Sequence, residues 1–212
     1  MGGHHWGYMA KLFIFDFDGV IVDSLGLYEK SVNVCLETMG FPPIRDRWEF
    51  LSLFDDNFYE AIARRGVDVH EFTKASASIA PTLNYDSVTP FPELIAVLKK
   101  LRKGKRFIII SSNSSRAIRL ILKKYSLEQC FDDILGYEFM LSKREKIFHA
   151  MKEFGTDGER SYYIGDTKGD IKEARSAGVK TIGVTWGWHP RERLAEAGPD
   201  YLIDSPGELL KF

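Results

Sequence analysis

The chain has few cysteines: 2 in 212 residues, Cys35 and Cys130, far apart and outside any CxxC pair. That sparsity excludes a disulfide framework and reads as two reduced thiols in a cytoplasmic protein. No apolar run reaches the ~18 residues that a membrane span requires, so no membrane partner is expected. The start, from Met1 to Met9, lacks the apolar stretch of a signal peptide. Residues 1–8, including His4 and His5, read as an N-terminal tail rather than as metal ligands. An excess of one charge is also missing, since 29 basic and 30 acidic residues leave a net charge of −1. With no basic block, nucleic acid is not an expected partner. There is no internal repeat or low-complexity segment, and the oligomeric state is unknown from sequence.

What is present is a 44% apolar composition, enough for one substantial core with an insertion. Short apolar runs at 11–15, 106–110, 134–137, 161–164, 181–184 and 200–203 read as strands. Amphipathic stretches at 92–102, 115–125, 144–154 and 169–177 read as helices, with Gly104, Gly155 and Gly178 as stops. Strands alternating with helices imply βαβ units, so the expected fold is α/β: a Rossmann-like parallel sheet with helices on both faces. Residues 24–86 break the alternation with helix-like stretches at 27–39, 57–65 and 69–83. They read as a small, inserted, all-helical cap, leaving 9–23 and 87–212 as the core.

The polar motifs fall where such a sheet binds ligands, at the carboxyl ends of strands. Asp16-Phe17-Asp18-Gly19-Val20 follows the first strand. Ser111-Ser112-Asn113 follows the run ending at Ile110, and Gly165-Asp166-Thr167-Lys168-Gly169-Asp170 follows the run ending at Ile164. Lys143 opens the helix between them. Two acid pairs, a hydroxyl, an amide and an ammonium therefore gather at one edge. Carboxylates hold Mg²⁺ through oxygen, and serine, backbone N–H groups and lysine bind phosphate oxygens. One carboxylate can attack phosphorus while a second moves protons.

These motifs resemble those of the haloacid dehalogenase superfamily, in its phosphatase branch with a helical cap. Asp16 through Ser24 is similar to the first motif of that family, Ser112-Asn113 to the second, Lys143 to the third, and Gly165-Asp166 with Asp170 to the fourth. Over the whole chain, the likeness is nearest to phosphoglycolate phosphatase-like proteins. The resemblance implies a hydrolase acting on a small phosphorylated metabolite, phosphoglycolate among the candidates, through an aspartyl phosphate. Asp16 would be nucleophile and Mg²⁺ ligand, and Asp18 acid/base, with its backbone carbonyl on the metal. Ser112 and Asn113 would bind phosphate, Lys143 would stabilise the transferred charge, and Asp166 and Asp170 would complete the metal site. An acid at position 18 argues for phosphate chemistry, because the dehalogenase members lack one there.

Several choices stay open at this level. Ser111 competes with Ser112, and Lys146 with Lys143. Trp186-Gly187-Trp188-His189 either borders the site or forms an aromatic-packed turn. Arg45, Asp56 and Asn57 in the cap and Arg116 in the core are candidates for substrate specificity. A sugar phosphomutase on the same core and a non-catalytic binding module are the alternative functions.

Overall fold

Six short strands form one parallel sheet in the computed structural model, which describes residues 10–212. The expected tail at 1–8 lies outside the described residues. The strands are β1 (Lys11–Phe15), β4 (Lys105–Ile110), β5 (Asp133–Leu135), β6 (Ser161–Gly165), β7 (Lys180–Val184) and β8 (Tyr201–Ile203), in the order β5-β4-β1-β6-β7-β8. Their apolar runs are continuous because both faces of the sheet are covered. Phe13, Phe15, Phe107 and Ile109 point to one face, where Leu94, Leu98, Ile118 and Leu122 cover them. Leu12, Ile14, Ile108 and Ile110 point to the other, against Ile147, Ala150 and Ala174. The helices supplying these residues are α5 (Pro92–Leu101), α6 (Ser115–Lys124), α7 (Lys143–Glu153) and α8 (Lys168–Ser176). This is the expected doubly covered α/β architecture.

The chain leaves the sheet after β1 through β2 (Val22–Asp23) and returns through β3 (Thr89–Pro90), which pair antiparallel. Between them lie α1 (Leu25–Thr38), α2 (Arg47–Ser52), α3 (Phe58–Arg64) and α4 (Val69–Ile79). These helices bury their own apolar cluster, including Leu36, Phe50, Phe58, Ile62 and Phe72, and Trp188 of the sheet body joins it. The helix expected over 69–83 ends at Ile79 and continues as a 3-10 turn, Ala80–Thr82. Pro81 has no N–H to extend the ladder. Helix α2, α9 (Arg191–Glu196) and the β2/β3 ribbon were not expected. They span six or two residues each, too few for a period to register.

Contacts along residues 51–56 fasten the helical insertion to the sheet body. Gly169 donates its N–H to the Phe54 carbonyl at 2.8 Å. Arg193 grips Asp55 with two hydrogen bonds, 2.7 and 2.6 Å, and its guanidinium lies 4.7 Å from the Trp48 ring centre. The buried His189 accepts at Nδ1 from the Lys168 N–H, 3.0 Å, so Nε2 carries the proton that faces the Leu51 carbonyl at 2.9 Å. Burial lowers its pKa and keeps this neutral form. Truncating the clamp with Arg193→Ala should lower stability by about 1.5–3 kcal/mol, the range for hydrogen bonds to charged groups. Urea unfolding checks this, and an unchanged midpoint would contradict it.

Candidate active site

The site begins where β1 ends. The Asp16 backbone still donates to Ile164 at 2.9 Å, so its carboxyl is held at the edge of the sheet. Phe17 is buried, and its carbonyl accepts from Ile21 and Val22 in a tight turn. Gly19 makes that turn possible with φ +77°, and a Cβ there would stand 2.0 Å from an Asp166 carboxylate oxygen. The turn aims Asp18 at Ser24 and Asn113, which donate to its two oxygens at 2.7 and 3.1 Å.

The loop after β4 supplies the hydroxyls. Ser111 is buried, its Oγ accepts from the Asn113 N–H at 3.0 Å, and it lies close enough to Asp18 to favour that carboxyl's charged form. Ser112 is half-buried, and its carbonyl accepts from the Tyr59 hydroxyl of α3 at 2.6 Å. Ser111 thus lies beside Asp18, and Ser112 borders the cavity that Asp18 and Asn113 also line.

Two lysines one helical turn apart on α7 do different work. Lys143 is buried and donates to Asp16 at 2.8 Å and to Asp170. Burial opposes its charge, but the two carboxylates overcome it and hold its pKa well above the usual lysine value. Lys146 is fully buried and donates to the carbonyls of Ser111, Gly136 and Leu135 at 2.5, 3.1 and 3.4 Å. It ties the β4 and β5 loops together away from the carboxyl groups. Burial, with Lys143 nearby, pushes its pKa down to about 7.

Asp166 and Asp170 complete the cluster from β6 and α8. The Asp170 side chain accepts from the Thr167 N–H at 3.2 Å while Thr167 caps α8, a reciprocal capping box. Oxygens of Asp16, Asp166 and Asp170 all lie within 4.8 Å of one another, and all three residues are buried. Burial pushes Asp16 up to about 7 against the pull of Lys143. Burial also lifts Asp18, and it lifts Asp166 well above the carboxylate range with Asp170 and Asp16 adding to the effect. Asp170 alone goes down, because Lys143 outweighs burial. Asp166 Oδ2 accepts from the Trp188 N–H at 2.7 Å, but Oδ1 is buried without a hydrogen-bond partner. An orphaned carboxylate oxygen within an all-oxygen cluster fits a hard divalent cation.

The four specificity candidates do not gather at this cluster. Arg45 is exposed. Asp56 is exposed and pairs with Lys172 at 2.6 Å. Asn57 caps α3 and donates to Glu173 and the Leu141 carbonyl at 3.1 and 3.2 Å. Arg116 lines an outer recess with Tyr85, Tyr137 and Glu138. Of the two readings for residues 186–189, both apply: Trp188 packs in the insertion's aromatic cluster, and its N–H holds Asp166. Glu173 was missed. It accepts from the Lys143 N–H at 2.9 Å and so seats the start of α7. Its spacing of three from Asp170 on one helix was the available signal.

Residues 13–184 match the family described as haloacid dehalogenase-like hydrolase. The chain belongs to that family. It is 29% identical over 201 residues to a phosphoglycolate phosphatase of Synechococcus elongatus, covering 93% of this chain and 94% of that one. A phosphoglycolate phosphatase of Pseudomonas syringae pv. tomato is 27% identical over 224 residues, covering 96% of this chain and 80% of its relative. Among solved structures, a haloacid dehalogenase-like family hydrolase from Streptococcus pneumoniae superposes with a TM-score of 0.78 at 22% identity, covering 96% and 98% of the two chains. The shared fold places the carboxyl ends of β1, β4 and β6 side by side, which is where this chain carries its polar residues.

Lys146 generates a pH test of the site's framework. Its folded pKa of about 7 lies below its ordinary 10.5, so the unfolded chain binds the extra proton between those values. Its contribution is therefore most favourable above 10.5 and is lost as the pH falls toward 7. The stability of the wild type relative to Lys146→Met should rise as pH increases from 7 to 10. Urea unfolding across that range checks it, and a flat or falling difference would contradict it.

Proposed function

We propose that this phosphomonoester hydrolase is Mg²⁺-dependent and works through an aspartyl phosphate on Asp16. The observation that carries the reading is the convergence of Asp16 with Asp166 and Asp170 within 4.8 Å, Lys143 on Asp16, and Asp18 facing Ser111 and Asn113. In the first step, Asp16 attacks phosphorus and the ester oxygen leaves with a proton from Asp18. Burial raises the Asp18 pKa, which keeps that proton available. In the second step, Asp18 takes a proton from water, the water oxygen attacks phosphorus, and Asp16 is released as a carboxylate with free phosphate. Ser112 and Asn113 hold the phosphoryl oxygens in this reading, and Lys143 offsets their charge. Mg²⁺, held by Asp16, Asp166, Asp170 and the Asp18 carbonyl, would supply charge neutralisation to the transferred group.

In this reading, residues 24–86 are the cap and residues 9–23 with 87–212 are the core. The cap excludes water from the ester, and the Tyr59 bond to Ser112 joins its α3 to the phosphate loop. The substrate is a small phosphorylated metabolite. Phosphoglycolate is one candidate, carried by the names of the Synechococcus and Pseudomonas relatives at 29% and 27% identity.

Asp16→Asn should lower phosphate release by at least about 10³-fold, as expected for loss of a nucleophile. Chelation should abolish wild-type release, and added Mg²⁺ should restore it. Turnover by the folded Asp16→Asn protein at the wild-type rate would overturn the assignment. Isomer formation without net phosphate release would favour a mutase instead.

A further inference from the structure

A cavity runs from the catalytic edge into the helical insertion, with Asp18, Ser112 and Asn113 at its inner end. For an ester whose phosphorus lies at Asp16, this cavity beside Asp18 is a space that can take the alcohol portion. The rest of the wall alternates apolar and aromatic side chains, Val32, Phe58, Phe72 and Leu83 among them, with uncharged hydroxyls of serine and tyrosine such as Ser31, Ser76 and Tyr28. Among the described residues, no lysine, arginine or histidine lines it, and Asp18 is the acidic residue in its wall.

The cations nearest by sequence role are engaged elsewhere or lie outside. Lys143 is bound to Asp16 and Asp170, and Lys146 to backbone carbonyls. Arg47 of the insertion pairs with Glu29 at 2.6 Å. Arg116 lines the adjoining outer recess, and Glu138 stands in the same recess. The Tyr28 and Tyr59 hydroxyls remain neutral, since burial raises both pKa values well above the ordinary one. They carry no charge, and the Tyr59 proton is already given to the Ser112 carbonyl.

We propose that this cavity selects phosphate esters whose alcohol portion is uncharged and partly apolar, and disfavours one bearing a carboxylate. The proposal rests on the hydrolase reading above and narrows its substrate. A carboxylate carried into the cavity would lose water, find no cation and sit in the field of Asp18. An unpaired buried charge of this kind is strongly penalised. An aromatic or aliphatic body gains the contact of the tyrosine and phenylalanine rings, and its hydroxyls find those of the wall. The cavity therefore discriminates against phosphoglycolate even though relatives carry that name.

The test compares phosphoglycolate with hydroxyethyl phosphate, in which CH₂OH replaces the carboxylate, and with benzyl phosphate. All three release primary alcohols, so differences in rate report on the cavity rather than on leaving-group chemistry. With Mg²⁺ present, both neutral esters should show a kcat/KM at least about tenfold above that of phosphoglycolate, the scale of one unpaired charge. Equal or better turnover of phosphoglycolate would overturn the selectivity while leaving the hydrolase intact. No release from any of the three would overturn the hydrolase reading and the selectivity with it. Ser31→Lys should place a cation in the cavity and shift the preference toward phosphoglycolate by at least about tenfold. Turnover of hydroxyethyl phosphate by that variant would show that it is folded, and an unshifted ratio would place the alcohol portion outside the cavity.

Discussion

Holding several carboxyl groups together away from water is the constraint on which the rest of the structure depends. Asp16, Asp166 and Asp170 meet within 4.8 Å, with Asp18 two residues from Asp16. Like charges at this separation repel strongly where water is excluded. Lys143 offsets part of that repulsion, and the N–H groups of Phe17, Thr167 and Trp188 each donate to a carboxylate. The chain also has to come unusually close. Gly19 and Gly187 both pack on Asp166, where a Cβ would stand 2.0 or 2.3 Å from a carboxylate atom. The orphaned Asp166 oxygen and the surplus of negative charge give a divalent cation a structural as well as a chemical reason to bind.

Topology delivers those groups to one place. Strand β1 pairs with β4 on one side and β6 on the other, so three loops distant in sequence open at adjacent strand ends. The chain runs outward from β1 through β4 to β5, and outward again from β6 through β7 to β8. The reversal leaves a crevice at the middle of the sheet, and Asp16, Ser111 and Asp166 all border it. The helical insertion leaves from the same point. The β2/β3 ribbon sits at its root, and the contacts of Leu51, Phe54 and Asp55 fasten it to His189 after β7, to the start of α8 and to α9. The insertion and the carboxyl cluster therefore share supporting residues, His189 and Trp188 among them.

Much of the sheet was legible because its signals are local and repeated. Continuous apolar runs bounded by turns marked all six strands, with no boundary shifted by more than two residues. The acids were legible as well, since each follows such a run. In the sequence, Lys143 is favoured over Lys146 only by its place at the start of the helix. Both lie on one helix face, and only packing shows that one meets carboxylates and the other meets carbonyls. Ser111 and Ser112 posed the same problem, because side-chain direction at the end of a strand depends on how the loop turns. The partners of the polar residues at 56 and 57 were not legible either. Asp56 and Asn57 are polar and close to the site in sequence, yet they engage Lys172 and Glu173. What the cavity presents instead is mainly tyrosine, phenylalanine and serine, residue types that sequence alone assigns to cores and surfaces.

The account stands on Asp16 forming a bond to phosphorus. The most direct measurement is acid quenching of the Mg²⁺-loaded enzyme during turnover, followed by mass spectrometry of its peptides. The account predicts one phosphate on the peptide carrying Asp16, stable in acid and released by alkali, as for an acyl phosphate. Turnover that leaves no phosphorylated peptide under conditions that trap acyl phosphates, or a phosphate on a residue other than Asp16, would contradict it.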